Sequence, residues 1–431
     1  MIAAPSVELA LPCDTALPEL AQSASPERML AICRAAWGDD GAAWRACRVM
    51  EAVYQPGRAC RISYALSTDD AERPELVYAR WSVSAERDHS SAVRVAGGAG
   101  GFDLYRFPRD RRMREVRGLR REEWLREASA IWMVRWLGPG CWDDAGWRCT
   151  PIKYVPESRL VCRLKGRWLG GGPDRWARAY VRIARRGGAR AQLDLLAALR
   201  RAAEDGRSVD VPRPLGMIEQ RGLLATEFVR GQTLRAAVAE AGCGVIGPIV
   251  ARLARVSPVM VAGERGHTEI PPAMLLDELS VGLGAGAAES WPGLEEWAAR
   301  RPAEPEDVGR VHGDLHAGQV LLKGDRVCVV DWEKSGRGDA TVDIVNLAAE
   351  FDAEALTDAG APADAAATCV AAWREAGGAW NAPATRWWAA YAHVLRAWGL
   401  MRHLRPDWPR RARLLASRAE EAWRKGATWL S

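Results

Sequence analysis

The chain has 431 residues, 60 of them basic and 55 acidic, and all but five of the basic residues are arginine. The five lysines are Lys153, Lys165, Lys323, Lys334 and Lys425; none sits in a Gly-x-x-x-x-Gly-Lys-Ser/Thr frame, which excludes a Walker-type phosphate loop. A net charge of only +5 lacks the dense basic excess of a nucleic-acid binder.

In chain order, residues 1–27 are small, Pro-rich and weakly patterned, and read as a loose lead-in. Residues 28–149 read as an α+β region: a helix over Pro26–Met50, strands over Arg58–Leu66 and Glu75–Val83, a turn over Ala96–Gly101, and a charged helix over Arg111–Leu137. Nine arginines between Arg106 and Arg126, with five acids nearby, predict a solvated helix face. Residues 150–235 repeat part of this pattern. Tyr54-Gln55-Pro56-Gly57-Arg58 precedes Cys60-Arg61, and Tyr154-Val155-Pro156-Glu157-Ser158-Arg159 precedes Cys162-Arg163. Val77-Tyr78-Ala79-Arg80 then matches Ala179-Tyr180-Val181-Arg182, so residues 28–149 read as a degenerate duplicate of residues 150–235. Within the second copy, a turn at Gly170–Asp174 leads into a strand over Ala177–Ala184, then a helix over Ala189–Ala203. A strand over Leu223–Val229 leads to Gly231 and to a helix that Thr233 caps. Residues 236–431 are helical apart from one hairpin, with amphipathic helices near 364–377, 384–403 and 408–427. On the middle one Trp387, Tyr391, Val394, Leu395 and Trp398 recur at helical spacing and read as core.

Ten widely spaced cysteines, with no CxxC pair, read as free thiols of a reducing compartment. No apolar run reaches the length of a membrane span, and the first basic residue is Arg28, so the expected location is the cytoplasm, with neither membrane nor nucleic acid as partner.

The chemistry concentrates in Val311-His312-Gly313-Asp314-Leu315-His316-Ala317-Gly318-Gln319-Val320-Leu321-Leu322, continuing to Val329-Val330-Asp331-Trp332-Glu333. Gly324-Asp325 is a two-residue hairpin turn between two apolar runs. If Lys323 pairs with Arg326, Gln319 falls opposite Val330 and beside Asp331. Asp314 lies on a loop five residues earlier. Two carboxylates and an amide oxygen form a hard-oxygen set suited to Mg²⁺, which takes few protein oxygens.

This stretch resembles the catalytic loop and metal-binding segment of the aminoglycoside phosphotransferase and choline-kinase-like family, whose pattern is H-G-D-x-x-x-x-N, a hairpin, and an aspartate after an apolar strand. Downstream, Gly336-Arg337-Gly338-Asp339 and Asp343-Ile344-Val345-Asn346-Leu347 resemble the family's Gly-Arg-Gly-Asp and Asp-Leu-x-Asn segments. The resemblance implies an α+β, bilobal, protein-kinase-like fold. Residues 150–235 would form the antiparallel N-lobe and 236–431 the helical C-lobe with the catalytic loop. It implies an ATP- and Mg-dependent phosphotransferase acting on the hydroxyl of a small molecule: a sugar, an aminoglycoside or an amino alcohol. Carried over, Asp314 is the catalytic aspartate, Asp331 and Gln319 hold the metal, and His312, Arg337 and Asp343 support the loop. Gln319 stands where most members carry Asn, as in the maltokinase-like branch. Arg182 stands where the family places its phosphate-anchoring lysine, with Lys153 and Lys165 as rival anchors. The turn carrying Ser158 occupies the place of the nucleotide-covering loop without its glycines. The arginine leaves an alternative open, a weak or inactive pseudokinase that only binds nucleotide.

Overall fold

Two Pro-led turns organise the first half of the chain. In the computed structural model Arg58 N donates to Gln55 O at 3.0 Å and Ser158 N to Val155 O at 3.1 Å, closing the same four-residue turn one hundred residues apart. The third residue of each is left-handed, Gly57 at φ 66° and Glu157 at φ 63°. That conformation suits glycine and is uncommon for glutamate, so the second turn needs outside support. The structure describes residues 8–69, 74–83, 92–97, 101–113, 116, 123–143, 145–170, 175–184, 188–203, 209–256, 269–284, 287, 290–303, 308–357 and 362–430.

The chain forms two compact units. The first comprises 1–189, 215–226 and 400–408, and the second 190–214, 227–399 and 409–431. In the first, short helices α1 (Leu20–Ser23), α2 (Pro26–Trp37) and α3 (Asp39–Ala42) precede a five-stranded sheet. Its strands are β1 (Ala46–Gln55), β2 (Ala59–Ser67), β3 (Glu75–Ser82), β4 (Ala92–Val95) and β5 (Phe102–Arg106), in the order β1-β2-β3-β5-β4. Helix α4 (Glu123–Leu137) leads to a six-stranded sheet of β6 (Gly140–Trp142), β7 (Arg148–Val155), β8 (Arg159–Gly170), β9 (Arg175–Ala184), β10 (Pro214–Ile218) and β11 (Leu223–Glu227). One core joins the two sheets, with Tyr78 and Tyr105 of the first buried in the same cluster as Tyr154, Leu160 and Trp168 of the second. Gly216 lets Trp132 approach: a Cβ there would lie 2.1 Å from the indole.

The resemblance between the two halves extends to detail. β1–β2 and β7–β8 each break register once, at Val49/Glu51 and at Pro151/Lys153. The third strand enters alike, with Ala59 opposite Ser82 and Arg159 opposite Ala184, which makes Arg80 the counterpart of Arg182. Each turn is held by one aspartate. Asp14 accepts from Tyr54 OH and Gly57 N, both at 2.9 Å; Asp110 accepts from Tyr154 OH at 2.6 Å and Glu157 N at 2.9 Å. Turn alignment pairs Cys60 with Leu160 rather than with Cys162. The two-residue slip keeps both cysteines on the buried face.

Three local expectations change. The helix from Pro26 ends at Trp37 because Gly38 turns left-handed at φ 52°, and 46–55 is a strand instead. The helix expected from Arg111 begins, among the described residues, at Glu123; Arg112 N and Met113 N are instead capped by Asp110 Oδ1, each at 2.8 Å. Nor are Arg106 and Arg111 on a solvated helix face: Arg106 pairs with Glu75 at 2.7 Å and Arg111 with buried Glu157 at 2.9 Å. The expected turn at 171–174 lies outside the described residues; β8 and β9 flank it with Trp168 opposite Arg175.

In the second unit, α5 (Ala189–Ala202) precedes a short strand β12 (Gln232–Thr233) and the helices α6 (Leu234–Ala241), α7 (Ile246–Leu253), α8 (Pro272–Leu283) and α9 (Pro292–Ala299). Thr233 Oγ1 caps α6 by accepting from Ala236 N at 3.2 Å. Then come β13 (Gly309–Val311), the hairpin β14 (Val320–Lys323) and β15 (Arg326–Val329), and β16 (Gly336–Gly338), which pairs with β13. Helices α10 (Thr341–Thr357), α11 (Ala365–Glu375), α12 (Ala382–Arg402) and α13 (Trp408–Lys425) complete the unit, apart from the 400–408 segment. Trp387, Tyr391, Val394 and Trp398 of α12 are buried, as their spacing requires.

Candidate active site

The hairpin has the register that its turn demands. Lys323 pairs with Arg326 and Val320 with Val329, while Gly324 supplies the left-handed residue at φ 55°. The ladder continues one step further, with Val330 N donating to Gln319 O at 3.0 Å. Gln319 is buried, and its side-chain Oε1 meets no hydrogen-bond donor among the described residues. A buried amide oxygen without a donor is costly, and a cation is a fitting partner for it. Asp331 follows at φ 67°, a left-handed conformation that aspartate adopts at some cost, and its side chain is exposed. Trp332, buried behind it, donates from Nε1 to Val329 O at 2.9 Å and so anchors the turn over Trp332–Lys334.

The loop bearing Asp314 is held from one face of α10. Positions 343, 346 and 350 lie at helical spacings i, i+3 and i+7, and all three side chains bind loop backbone. Asp343 accepts from His312 N at 2.6 Å and from Gly313 N at 3.0 Å, with Gly313 at φ 80°. Asn346 Nδ2 donates to Leu315 O at 2.9 Å, and Glu350 accepts from Ala317 N at 2.5 Å. Arg396 of α12 clamps Asn346 through its side-chain oxygen at 2.7 Å and its carbonyl at 2.6 Å; Arg235 of α6 pairs with Glu350. Asn346, Glu350, Arg235 and Arg396 carried no assigned role in the sequence. The i, i+3, i+7 spacing of polar residues on an otherwise buried helix was the available signal.

His312 ties the loop bearing Asp314 to the end of the hairpin. Its Nε2–H donates to Val330 O at 3.0 Å, and its ring lies 4.6 Å from the Trp332 ring. Burial lowers the imidazole pKa, against the opposing fields of Asp343, Asp314 and Asp331, which favours the neutral ring. Burial likewise raises the Asp343 carboxyl, with His312 opposing. Asp314 is half-buried and receives Lys334 Nζ on Oδ1 at 2.9 Å, a contact the sequence did not announce. Arg337 is exposed on β16, opposite Arg310. Asp339, buried, accepts from Asn381 Nδ2 at 3.0 Å and Trp388 Nε1 at 3.1 Å.

Also in this unit, Glu227, Phe228, Val229 and Arg230 line a cavity of about 100 Å³ with Leu321 and Cys328. Burial pushes the Cys328 thiol up to about 12, so it is inert as a nucleophile. Among the described residues no three His, Cys, Asp or Glu side chains cluster as a metal site. The oxygen set here is two aspartates and an amide.

In the first unit, Arg182 is half-buried on β9, on the face opposite Val181 and Ile183, which enter the core. Its row across the sheet runs Lys153–Val161–Arg182, so Lys153 and Arg182 bracket Val161 on one face. Lys165 lies further along β8, opposite Arg178, with its ammonium 4.8 Å from the Trp176 ring centre. Ser158 is exposed at the turn, whose amides at 157 and 158 already donate to Asp110 and Val155.

An antiparallel sheet followed by helices, with the loop, hairpin and left-handed aspartate in this order, defines an α+β fold. Residues 167–379 match the phosphotransferase enzyme family, and the protein is a phosphotransferase with a hydroxyl acceptor. A search of curated proteins finds no match. Among solved structures, an amicoumacin kinase in complex with AMP-PNP and Ca²⁺ is 13% identical, with a TM-score of 0.48 over 70% of this chain and 93% of its own. A choline/ethanolamine kinase family protein from Mesorhizobium loti is 20% identical, with a TM-score of 0.42 over 66% and 91%. A thermostable aminoglycoside phosphotransferase, in ternary complex with AMP-PNP and hygromycin B, is 14% identical, with a TM-score of 0.45 over 69% and 99%. Among the described residues no helix is long and apolar enough to cross a membrane.

Proposed function

We propose that the protein transfers the γ-phosphoryl group of ATP to a hydroxyl of a sugar, an aminoglycoside or an amino alcohol, with Mg²⁺ as the metal. The observation that carries this reading is the buried, donor-less Gln319 Oε1 next to the left-handed Asp331, on a hairpin that needs neither feature to fold. Gln319 and Asp331 would hold the metal. When bound, it neutralises phosphate charge.

Every other part falls to the chain itself. Asp314 orients the acceptor hydroxyl and takes its proton as the new phosphorus–oxygen bond forms. His312, neutral, holds the 312–314 loop to Val330 and so fixes Asp314 relative to Asp331. Asp343 supports the same loop through two backbone amides. Arg182 takes the place of the phosphate-anchoring lysine, with Lys153 in its row, and Ser158 contributes its hydroxyl. The cavity beside 227–230 suits the nucleotide base.

A second reading, a nucleotide-binding protein without turnover, is favoured by arginine at position 182, whose larger planar head is not interchangeable with an ammonium. Arg182→Lys distinguishes the two. Under the kinase reading ADP formation persists or rises; a relic stays at zero with either residue. Mass-shift detection of phosphorylated products from a panel of hydroxylated metabolites with Mg-ATP tests the main reading. A panel without product, together with no ADP release, contradicts it.

A further inference from the structure

We infer that the cavity between α8 and α9 is a second ligand site, which takes a protonated amine carried on an apolar body. None of its lining residues belongs to residues 311–334 or to α10. The inference therefore goes beyond the phosphotransferase reading and does not depend on it.

Two helical stripes build the cavity. Positions 273, 276, 277 and 280 share one face of α8, at i, i+3, i+4 and i+7, and positions 294, 295, 298 and 299 share one face of α9. Both stripes carry alanine where a larger side chain would close the space, at Ala273, Ala298 and Ala299, and α13 adds Ala416. Leu279 and Leu294, both buried, supply apolar wall. Trp291 is buried too, and its one donor, Nε1, is committed to Ser417 Oγ at 3.0 Å, so it offers the cavity only its ring. The space left is about 510 Å³, within the range of about 300–1,000 Å³ that holds a small organic ligand.

The charge on the rim selects what enters. Helices α8 and α9 carry four carboxylates. The two outside the cavity are answered: Glu278 accepts from Trp398 Nε1 at 2.7 Å, and Glu296 pairs with Arg300 at 3.1 Å. The two that line it, Asp277 and Glu295, are exposed and meet neither a donor nor a cation among the described residues. No basic residue lines this cavity, although the chain has 60 of them. The cavity beside 227–230, by contrast, is lined by Arg230, Lys323 and Arg326 as well.

An anion is repelled by such a rim and a cation is attracted. Exposed ion pairs add little affinity by themselves, whereas burying an apolar body against leucine, alanine and indole adds most of it. The two acids therefore choose the sign of the charge, and the cavity holds the rest of the molecule. An aliphatic amine is protonated at neutral pH, as a lysine side chain is, and on an apolar body it fits both parts.

The test uses the full chain and dansylcadaverine, a fluorescent probe that joins a primary amine to an apolar naphthalene body, with its N-acetylated form as the uncharged control. Binding is read from probe emission, and folding from the melting temperature. The parent should bind the amine saturably, and the acetylated probe about tenfold more weakly. Asp277→Asn combined with Glu295→Gln removes both charges at exposed positions and should weaken amine binding about tenfold with the melting temperature unchanged. Ala298→Phe should fill the cavity and abolish binding. No saturable binding by the parent, equal affinity for the two probes, or affinity within twofold of the parent in the double variant or in a folded Ala298→Phe overturns the assignment. The readout needs neither nucleotide nor transfer. A missing Mg-ATP shift thus contradicts the phosphotransferase reading alone, and missing amine binding contradicts this site alone.

Discussion

Gln319 and Asp331 sit at one end of a hairpin for opposite reasons: one side chain is buried without a donor, and the other is exposed on a strained backbone. Neither state helps the fold, and both fit the cation proposed for this end of the hairpin. Asp331→Asn should therefore remove the stabilisation that Mg-ATP confers, read as a melting shift, while leaving the unliganded melting temperature near that of the parent. Asp314→Asn should abolish transfer and leave the shift intact. Protonation gives a further test. Burial lowers the pKa of His312, His316 and His393, so the folded chain resists proton uptake that the unfolded chain accepts. Their contribution to stability is complete above about pH 6.5 and is lost as pH falls below it. The melting temperature should drop between pH 7.5 and 5.5; a flat profile would contradict the burial assigned to these rings. The register that sets Gln319 opposite Val330, beside Asp331, was legible from spacing and turn chemistry, while the roles proposed for Asp314, Gln319 and Asp331 come from the family resemblance. The contact of Lys334 with Asp314 was not legible, because it depends on the left-handed backbone at Asp331, which no periodicity reports.

Helix α10 sets the conformation of a loop it is not part of. Its Asp343, Asn346 and Glu350 reach backbone atoms of residues 312–317, so the loop's conformation is written on the helix. Glu350→Ala leaves Ala317 N without its acceptor and Arg235 without one of its partners. A loss of about 2–3 kcal/mol in denaturant melts is expected, with a fall in kcat alongside it. Unchanged stability would show that water replaces the carboxylate. On the same helix Asp352 pairs with Arg418 of α13 at 2.8 Å and lies 3.2 Å from His393; burial alone would raise its carboxyl, but these partners hold it well below the usual range. The long C-terminal helices were legible because their apolar spacing is regular. The strand over 46–55 was not: Gly38 ends the preceding helix early, and β1 is buried on too mixed a pattern to declare a period of two.

At the scale of the molecule, the first unit repeats one design, in which an aspartate grips a Tyr-x-Pro turn between three antiparallel strands. The two copies differ at the tip. Gly57 needs no help at positive φ, whereas Glu157 is held by Arg61, Arg80, Arg111 and Arg112, with Arg111 bidentate at 2.9 and 3.0 Å. Burial alone would raise the Glu157 carboxyl, and these arginines lower it on balance. Arg80 is the counterpart of Arg182, so the first copy turns to an internal carboxylate the arginine proposed to meet phosphate in the second. Glu157→Ala strands buried cations and should cost about 3–5 kcal/mol in denaturant melts; a loss below about 1 kcal/mol, the range of an exposed pair, would contradict the clamp. The repeat was visible in the sequence as Tyr, Pro and Arg at similar spacings, but its two aspartates lie about forty residues before their turns and only the folded chain brings them there. The central claim, a kinase built on Asp331 and Gln319, is tested most directly by melting the parent and Asp331→Asn with and without Mg-ATP. At a hundredfold excess over Kd the parent should gain about 2.7 kcal/mol, seen as a rise of several degrees, and the variant should gain none. Equal shifts in both proteins, or no shift in the parent, would contradict the account.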